Sequence, residues 1–157
     1  MNDGMQPYVE GIYIAPKAGA PMQKVNQVEA LKGLGLRGDR YSEGIGYYTG
    51  PEACQVTLIR GEDLDEIAES GLSVLEGQHR RNIVTRGLDL KILIEEHFSI
   101  GDAEFVYGGP RTPCYHLESI TEKGMLKELT LRSGIYAAVI KGGTIREGDI
   151  ITVKPRK

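Results

Sequence analysis

Cys114 is the residue of this chain whose neighbours most favour reactivity. It lies in the stretch Pro110-Arg111-Thr112-Pro113-Cys114-Tyr115-His116-Leu117-Glu118. A nearby cation favours the thiolate over the thiol, and the thiolate is both nucleophile and soft metal ligand. A lone cysteine is more often a small buried hydrophobe than a reactive group, so this stretch alone favours packing, and the rest of the chain must argue for chemistry. Two more polar clusters interrupt apolar stretches, Arg37-Gly38-Asp39-Arg40 and His79-Arg80-Arg81-Asn82. The plain reading of the first is a polar turn, in which Gly38 takes unusual dihedrals and Asp39 bonds local backbone. The plain reading of the second is a solvated strand face. On a strand Arg80 and Arg81 point to opposite sides, so at most one of them meets a given pocket.

Several other chemistries are absent. Two cysteines and three histidines, His79, His97 and His116, do not form paired zinc-ligand spacings. Cys114 and His116 would share one face of a strand, which is a weak signal for a metal. No phosphate loop of the Gly-x-x-x-x-Gly-Lys-Ser/Thr type and no Gly-x-Ser-x-Gly nucleophile elbow occurs. Two cysteines cannot build a four-cysteine iron–sulfur cluster, and no flavin or haem signature accompanies them.

Composition narrows the class. The chain has 157 residues, enough for a single domain with a real core, and the domain is expected to cover 1–157. Lys plus Arg is 19 against 22 Asp plus Glu, a formal net charge of −3, which is not the basic excess of a nucleic-acid binder. No apolar run approaches the ~20 residues of a membrane span. Residues 1–7 lack the basic start and apolar stretch of a signal peptide. The expected location is therefore the cytoplasm, where a structural disulfide between Cys54 and Cys114 is not expected.

The positioning elements read as short strands separated by glycine turns, with 21 glycines spread along the chain. Residues 8–14 form a strand bounded by Pro7 and Pro16. Residues 25–36 read as one extended region, 55–59 as a strand, and 62–70 as a helix with acidic residues early and Gly71 as its stop. Residues 79–85 read as a strand whose first half is polar. Residues 88–93 fit either a turn or a half-turn of helix. Gly101-Asp102 feeds residues 103–107, which alternate apolar and polar, and Gly148-Asp149 feeds residues 150–153, which suggests a closed or folded-over sheet. Residues 124–131 read as a helix and 135–140 as an apolar strand. No βαβ alternation appears. The order favours a β-rich barrel or sandwich over a doubly wound sheet.

Seven short pieces, in order, resemble the MOSC domain, named for the C-terminal part of molybdenum-cofactor sulfurases. They are Leu36-Arg37-Gly38-Asp39-Arg40, Gln55-Val56-Thr57-Leu58-Ile59, the run from Arg80-Arg81-Asn82 to Leu90, Ile100-Gly101-Asp102-Ala103, Pro113-Cys114, Arg132-Ser133-Gly134, and Gly143-Thr144-Ile145-Arg146-Glu147-Gly148-Asp149. The resemblance spans about 9–153. It implies a β-rich (α+β) fold, a MOSC-like β-barrel with a few short helices. It also implies that Cys114 is the family's cysteine, a molybdenum ligand or a persulfide carrier, and that the cofactor is the molybdenum cofactor, molybdopterin. Many relatives carry histidine after the Gly-Asp-Arg piece, where this chain has Tyr41, so an imidazole role there is not expected. These 157 residues hold no counterpart of the pyridoxal-phosphate domain that accompanies some relatives, and a Schiff base is not expected.

Molybdopterin carries a phosphate, and arginine grips phosphate with a planar, permanently charged fork. That makes Arg40, Arg80, Arg81 and Arg111 candidates for the grip. Asp39 and Glu118 are candidates to orient an arginine or tune the thiol, and Asn82 is a further cofactor-binding candidate. The expected role is sulfur transfer, or reduction of a small substrate. With no redox centre of its own, the chain would need an electron-donor or sulfur-transfer protein as partner; neither nucleic acid nor membrane is expected. The alternative is a noncatalytic anion- or cofactor-binding module in which Cys114 is incidental. If the first reading holds, the Asp39-Arg40 turn and the Arg80-Arg81-Asn82 segment should converge on Cys114.

Overall fold

The protein's three-dimensional structure is a computed structural model, and it describes residues 6–16, 20–39, 55–72, 79–110 and 134–154. In chain order these form β1 Tyr8–Ile14, β2 Gln23–Val25, β3 Gln27–Leu31, β4 Gly35–Leu36, β5 Val56–Arg60, α1 Gly61–Glu69 and β6 Ile83–Arg86. A 3-10 helix, Leu90–Leu93, follows, then β7 His97–Ile100, β8 Ala103–Pro110, β9 Ile135–Lys141, β10 Gly143–Arg146 and β11 Ile151–Val153. The expected helix over 124–131 lies outside the described residues.

The main sheet has eight strands in the order β11-β7-β8-β9-β5-β6-β1-β2. Its neighbours pair antiparallel except β5 and β6, which are parallel. A parallel pair needs a crossover, and the nine-residue α1 begins it. The sequence gives no βαβ alternation because this unit occurs once and its helix is short. A smaller sheet, β10-β3-β4, lies beside the first and is tied to β9 by Gly33 N donating to Val139 O at 3.0 Å.

The fold is β-rich, as expected, and the main sheet curls without closing by a continuous ladder among the described residues. Its β11 end comes round to β1 through an isolated antiparallel bridge between Tyr8 and Ile150. Val9 N donates to Asp149 O at 2.9 Å, and Gly148 N donates to Val9 O at 2.8 Å. Both Gly-Asp turns sit where the alternation puts them, with Gly101 and Gly148 at φ 57° and 90°, a left-handed region glycine enters at little cost.

Strand alternation sends neighbouring residues to opposite faces. Ile12, Leu58 and Ile83 enter the inner core with Phe98, Phe105 and Val139. Phe98 and Phe105 stack there with ring centroids 5.4 Å apart. Tyr13, Ile59 and Val84 face outward and pack under Leu64 and Ile67 of α1. Glu62 and Asp63 in the first turn of α1 complement its dipole. Gly71, at φ 100°, ends the helical region as expected.

One lateral row of residues positions the site. Gly109 pairs with Tyr136, and Tyr136 with Thr57. The Leu58–Ile83 and Ile12–Ile83 registers then set Asn82 between Thr57 and Tyr13.

Candidate functional site

The β1–β6 ladder extends one residue before β6, with Tyr13 N donating to Asn82 O at 2.7 Å. The Asn82 side chain then takes over from the backbone. Its Oδ1 accepts from Thr57 N at 3.0 Å and from Thr57 Oγ1 at 3.2 Å. Its Nδ2 donates to Tyr13 O at 3.0 Å, and its own N–H donates to Thr57 Oγ1 at 2.9 Å. Asn82 and Thr57 are both fully buried. A carboxamide carries both an acceptor and a donor, which lets one side chain join β5 to β1 where β6 begins.

Residues 79–81 are not strand, which corrects the sequence expectation for the first half of 79–85. Arg80 has φ 63°. A non-glycine residue there bears strain on the order of 1–3 kcal/mol and persists only where its surroundings fix it. The turn lets Arg81 N donate to His79 Nδ1 at 2.9 Å. The solvated-face reading is also overturned, since His79 is 0%, Arg81 2% and Arg80 7% exposed. With no strand alternation to separate them, both arginines turn into the protein. The Arg80 guanidinium donates through Nη1 to Ala20 O.

His79 meets the Tyr13 ring edge to face, centroids 4.8 Å apart and planes at 87°. Burial first, and then the Arg81 and Arg80 charges, lower its pKa from 6.5 to about 3. The imidazole is therefore neutral at ordinary pH. Because Nδ1 accepts, the ring proton sits on Nε2.

Asp39 closes a turn in which its N–H donates to Leu36 O at 3.0 Å and Gly38 takes φ 85°. The turn itself is as expected, but the carboxylate does more than bond local backbone. Asp39 is 0% exposed, and its Oδ1 accepts from Ala15 N at 3.0 Å, 24 residues away. Thus Asp39, Asn82, His79 and Arg80 all bond or pack against the C-terminal end of β1 and the backbone just beyond it. Buried charges are retained only where other groups hold them, and polar groups of this kind cluster at binding sites. Cys114, Arg40, Arg111, Glu118 and Tyr41 lie outside the described residues, as does Cys54. Thr57 and His79 are the site residues that sequence reasoning missed. Thr57 carries no signal beyond its place in a strand, and His79 had only its position before Arg80.

Among the described residues, no group of three or more His, Cys, Asp or Glu side chains is placed to hold a metal ion. No helix among them is long and apolar enough to cross a membrane.

The MOSC domain model matches residues 46–152, and the chain belongs to the MOSC domain family, which is associated with molybdenum-cofactor binding and sulfur transfer. The fold is similar to that of the YuaD protein from Bacillus subtilis, with TM-score 0.73, 22% identity and 98% of each chain covered. It is also similar to YiiM from Geobacillus stearothermophilus, with TM-score 0.70, 19% identity, 96% of this chain and 76% of that one covered. For YiiM from Escherichia coli the TM-score is 0.68 at 20% identity, covering 96% and 71%. No curated protein matches the chain.

Proposed function

We propose that this MOSC domain binds the molybdenum cofactor, with Cys114 as the protein's metal ligand or as a persulfide carrier. The domain would serve sulfur transfer, or reduction of a small substrate with electrons from a partner protein. The observation that carries this reading is the burial of Arg80 and Arg81 in one turn, strained at Arg80.

The described residues fit such a group. Arg80 and Arg81 would hold its phosphate, since guanidinium forks match phosphate oxygens. Asn82 would fix the backbone that follows those arginines, and Asp39 the backbone at Ala15. The described part of the protein offers no metal cage, which suits a metal held by the cofactor's own sulfurs. When bound, the group supplies a soft metal centre able to accept one protein thiolate.

Chain length also permits Cys114 to take part. Pro110 ends β8 one residue beyond the Gly109–Tyr136–Thr57 row, and β8 is separated from β6 by β9 and β5. Those three strand steps cover roughly 14 Å, and four residues of chain span at most roughly 14 Å.

The test is to isolate the protein without oxygen and measure molybdenum, labile sulfur and pterin fluorescence on denaturation. The unmodified chain and Cys54→Ser should carry molybdenum with pterin, or labile sulfur, and Cys114→Ser should lose the metal or the sulfur. Equal loading of Cys114→Ser removes Cys114 from the mechanism. Absence of pterin, molybdenum and labile sulfur from all three leaves the noncatalytic anion-binding module as the better account.

A further inference from the structure

We infer that His79 is a ligand-binding residue, whose Nε2–H donates a hydrogen bond to an oxygen of a phosphate-type anion gripped by Arg80 and Arg81. This rests on the anion-binding reading of the site given above. His79 is fully buried, and its Nε2 has no hydrogen-bond partner among the described residues. Buried donors in native proteins are almost always paired, and one left unpaired needs an explanation.

The ring is locked rather than loose. Arg81 N occupies Nδ1 at 2.9 Å, and Tyr13 holds the plane of the ring through the edge-to-face contact. The tautomer is therefore fixed with hydrogen on Nε2, so the orphaned atom is a donor and its complement is an acceptor. The same turn carries two guanidiniums, which makes an anionic oxygen the acceptor that gains most. Burial first, and then the Arg81 and Arg80 charges, keep the ring from taking a second proton. The imidazole thus adds direction to the pocket without adding charge.

The protein-internal alternative is an N–H bond to the face of the Tyr13 ring, which would use up the donor. The experiment separates the two. The histidine ring nitrogens and their attached protons are observed by NMR while inorganic phosphate is titrated into the unmodified protein. The His79 Nε2–H resonance should move on binding. His79→Phe keeps an aromatic ring against Tyr13 but removes the donor, and phosphate should then bind roughly ten- to a hundredfold more weakly. The NMR titration stands on its own if that variant fails to fold.

A second probe, the stable oxidised pterin phosphate obtained from molybdopterin, is compared with its dephosphorylated form. Tighter binding of the pterin phosphate than of inorganic phosphate identifies a cofactor as the source of the anion, and equal binding identifies a free anion. In both cases the His79 signal must move. If phosphate binds and Arg81→Met weakens it, yet the Nε2–H signal is unmoved and His79→Phe binds normally, the His79 inference falls and the anion site stands. If neither probe binds the unmodified protein, both fall.

Discussion

Replacing Asn82 by alanine tests the account of how the site is held. The substitution removes the acceptor used by Thr57 N and Thr57 Oγ1 and the donor used by Tyr13 O. A net hydrogen bond contributes about 0.5–1.5 kcal/mol, and a buried group left without one costs about 1–3 kcal/mol. Three such bonds at a fully buried position amount to about 3–4 kcal/mol, a large share of the roughly 5–15 kcal/mol that holds a domain folded. Urea denaturation followed by circular dichroism reads this as a midpoint lower by roughly 1–2 M at unchanged slope. Thr57→Val removes the hydroxyl that both donates to Asn82 Oδ1 and accepts from Asn82 N, at about 1–2 kcal/mol. Because the two changes break shared bonds, the double variant should lose less than the sum of the single losses, by about 1 kcal/mol. A loss below about 1 kcal/mol for Asn82→Ala, or strict additivity with Thr57→Val, would refute the reasoning.

The other predictions test charge and backbone. His79 has a native pKa of about 3 against 6.5 for the free side chain. Below pH 6.5 the unfolded chain takes up a proton that the folded protein refuses, so this stability is full above 6.5 and lost as pH falls towards 3. The slope approaches about 1.4 kcal/mol per pH unit. His79→Phe should abolish that part of the pH dependence in denaturation curves at pH 4 to 7, and an unchanged slope counts against a buried neutral imidazole. Gly134 has φ 85° and sits where an added Cβ would run into the Leu58 carbonyl oxygen. Gly134→Ala should therefore cost about 3 kcal/mol or more, and a midpoint like that of the unmodified protein would contradict the packing of β9 on β5. Arg86 pairs with Glu10 and Asp65, each at 2.8 Å, partly open to solvent. Arg86→Met should lose about 1 kcal/mol at low salt and less at 1 M salt, as read from thermal midpoints at the two ionic strengths.

Much of the fold was legible because it rests on local rules. The strand at Tyr8–Ile14 alternates between proline boundaries, and α1 has an acidic first turn and a glycine after its end. The two Gly-Asp turns mark strand entries by needing a residue with no Cβ. The region 25–36 was less legible. Its apolar residues read as one extended run, but the chain breaks it into the end of β2, then β3 and β4, turning at Gly33 with φ 74°. Leu34 lies in that turn, 51% exposed. An isolated apolar residue does not announce which side of a turn it occupies, and only pairing with β10 and β4 fixes where β3 stops.

The candidate site was legible as a set of residue types and misread as a geometry, and one cause accounts for both. Polar residues in a strand-like run read as solvated when no partner is visible in the sequence. Here the partners come from 25 and 69 residues away, Thr57 and Tyr13 for Asn82, and from 24 residues away, Ala15 for Asp39. Alternation then assigned Arg80 and Arg81 to opposite faces, a rule valid only while the backbone stays extended. Arg80 leaves the extended region with a positive φ, which glycine would have advertised and arginine does not. At Arg80, two residues before the buried and multiply bonded Asn82, stability is given up locally and recovered by neighbouring bonds. On that argument Arg80→Gly should relieve backbone strain and offset part of the stability lost with the guanidinium, while weakening phosphate binding. A measured affinity equal to the unmodified protein's would show that the strain at Arg80 serves folding alone.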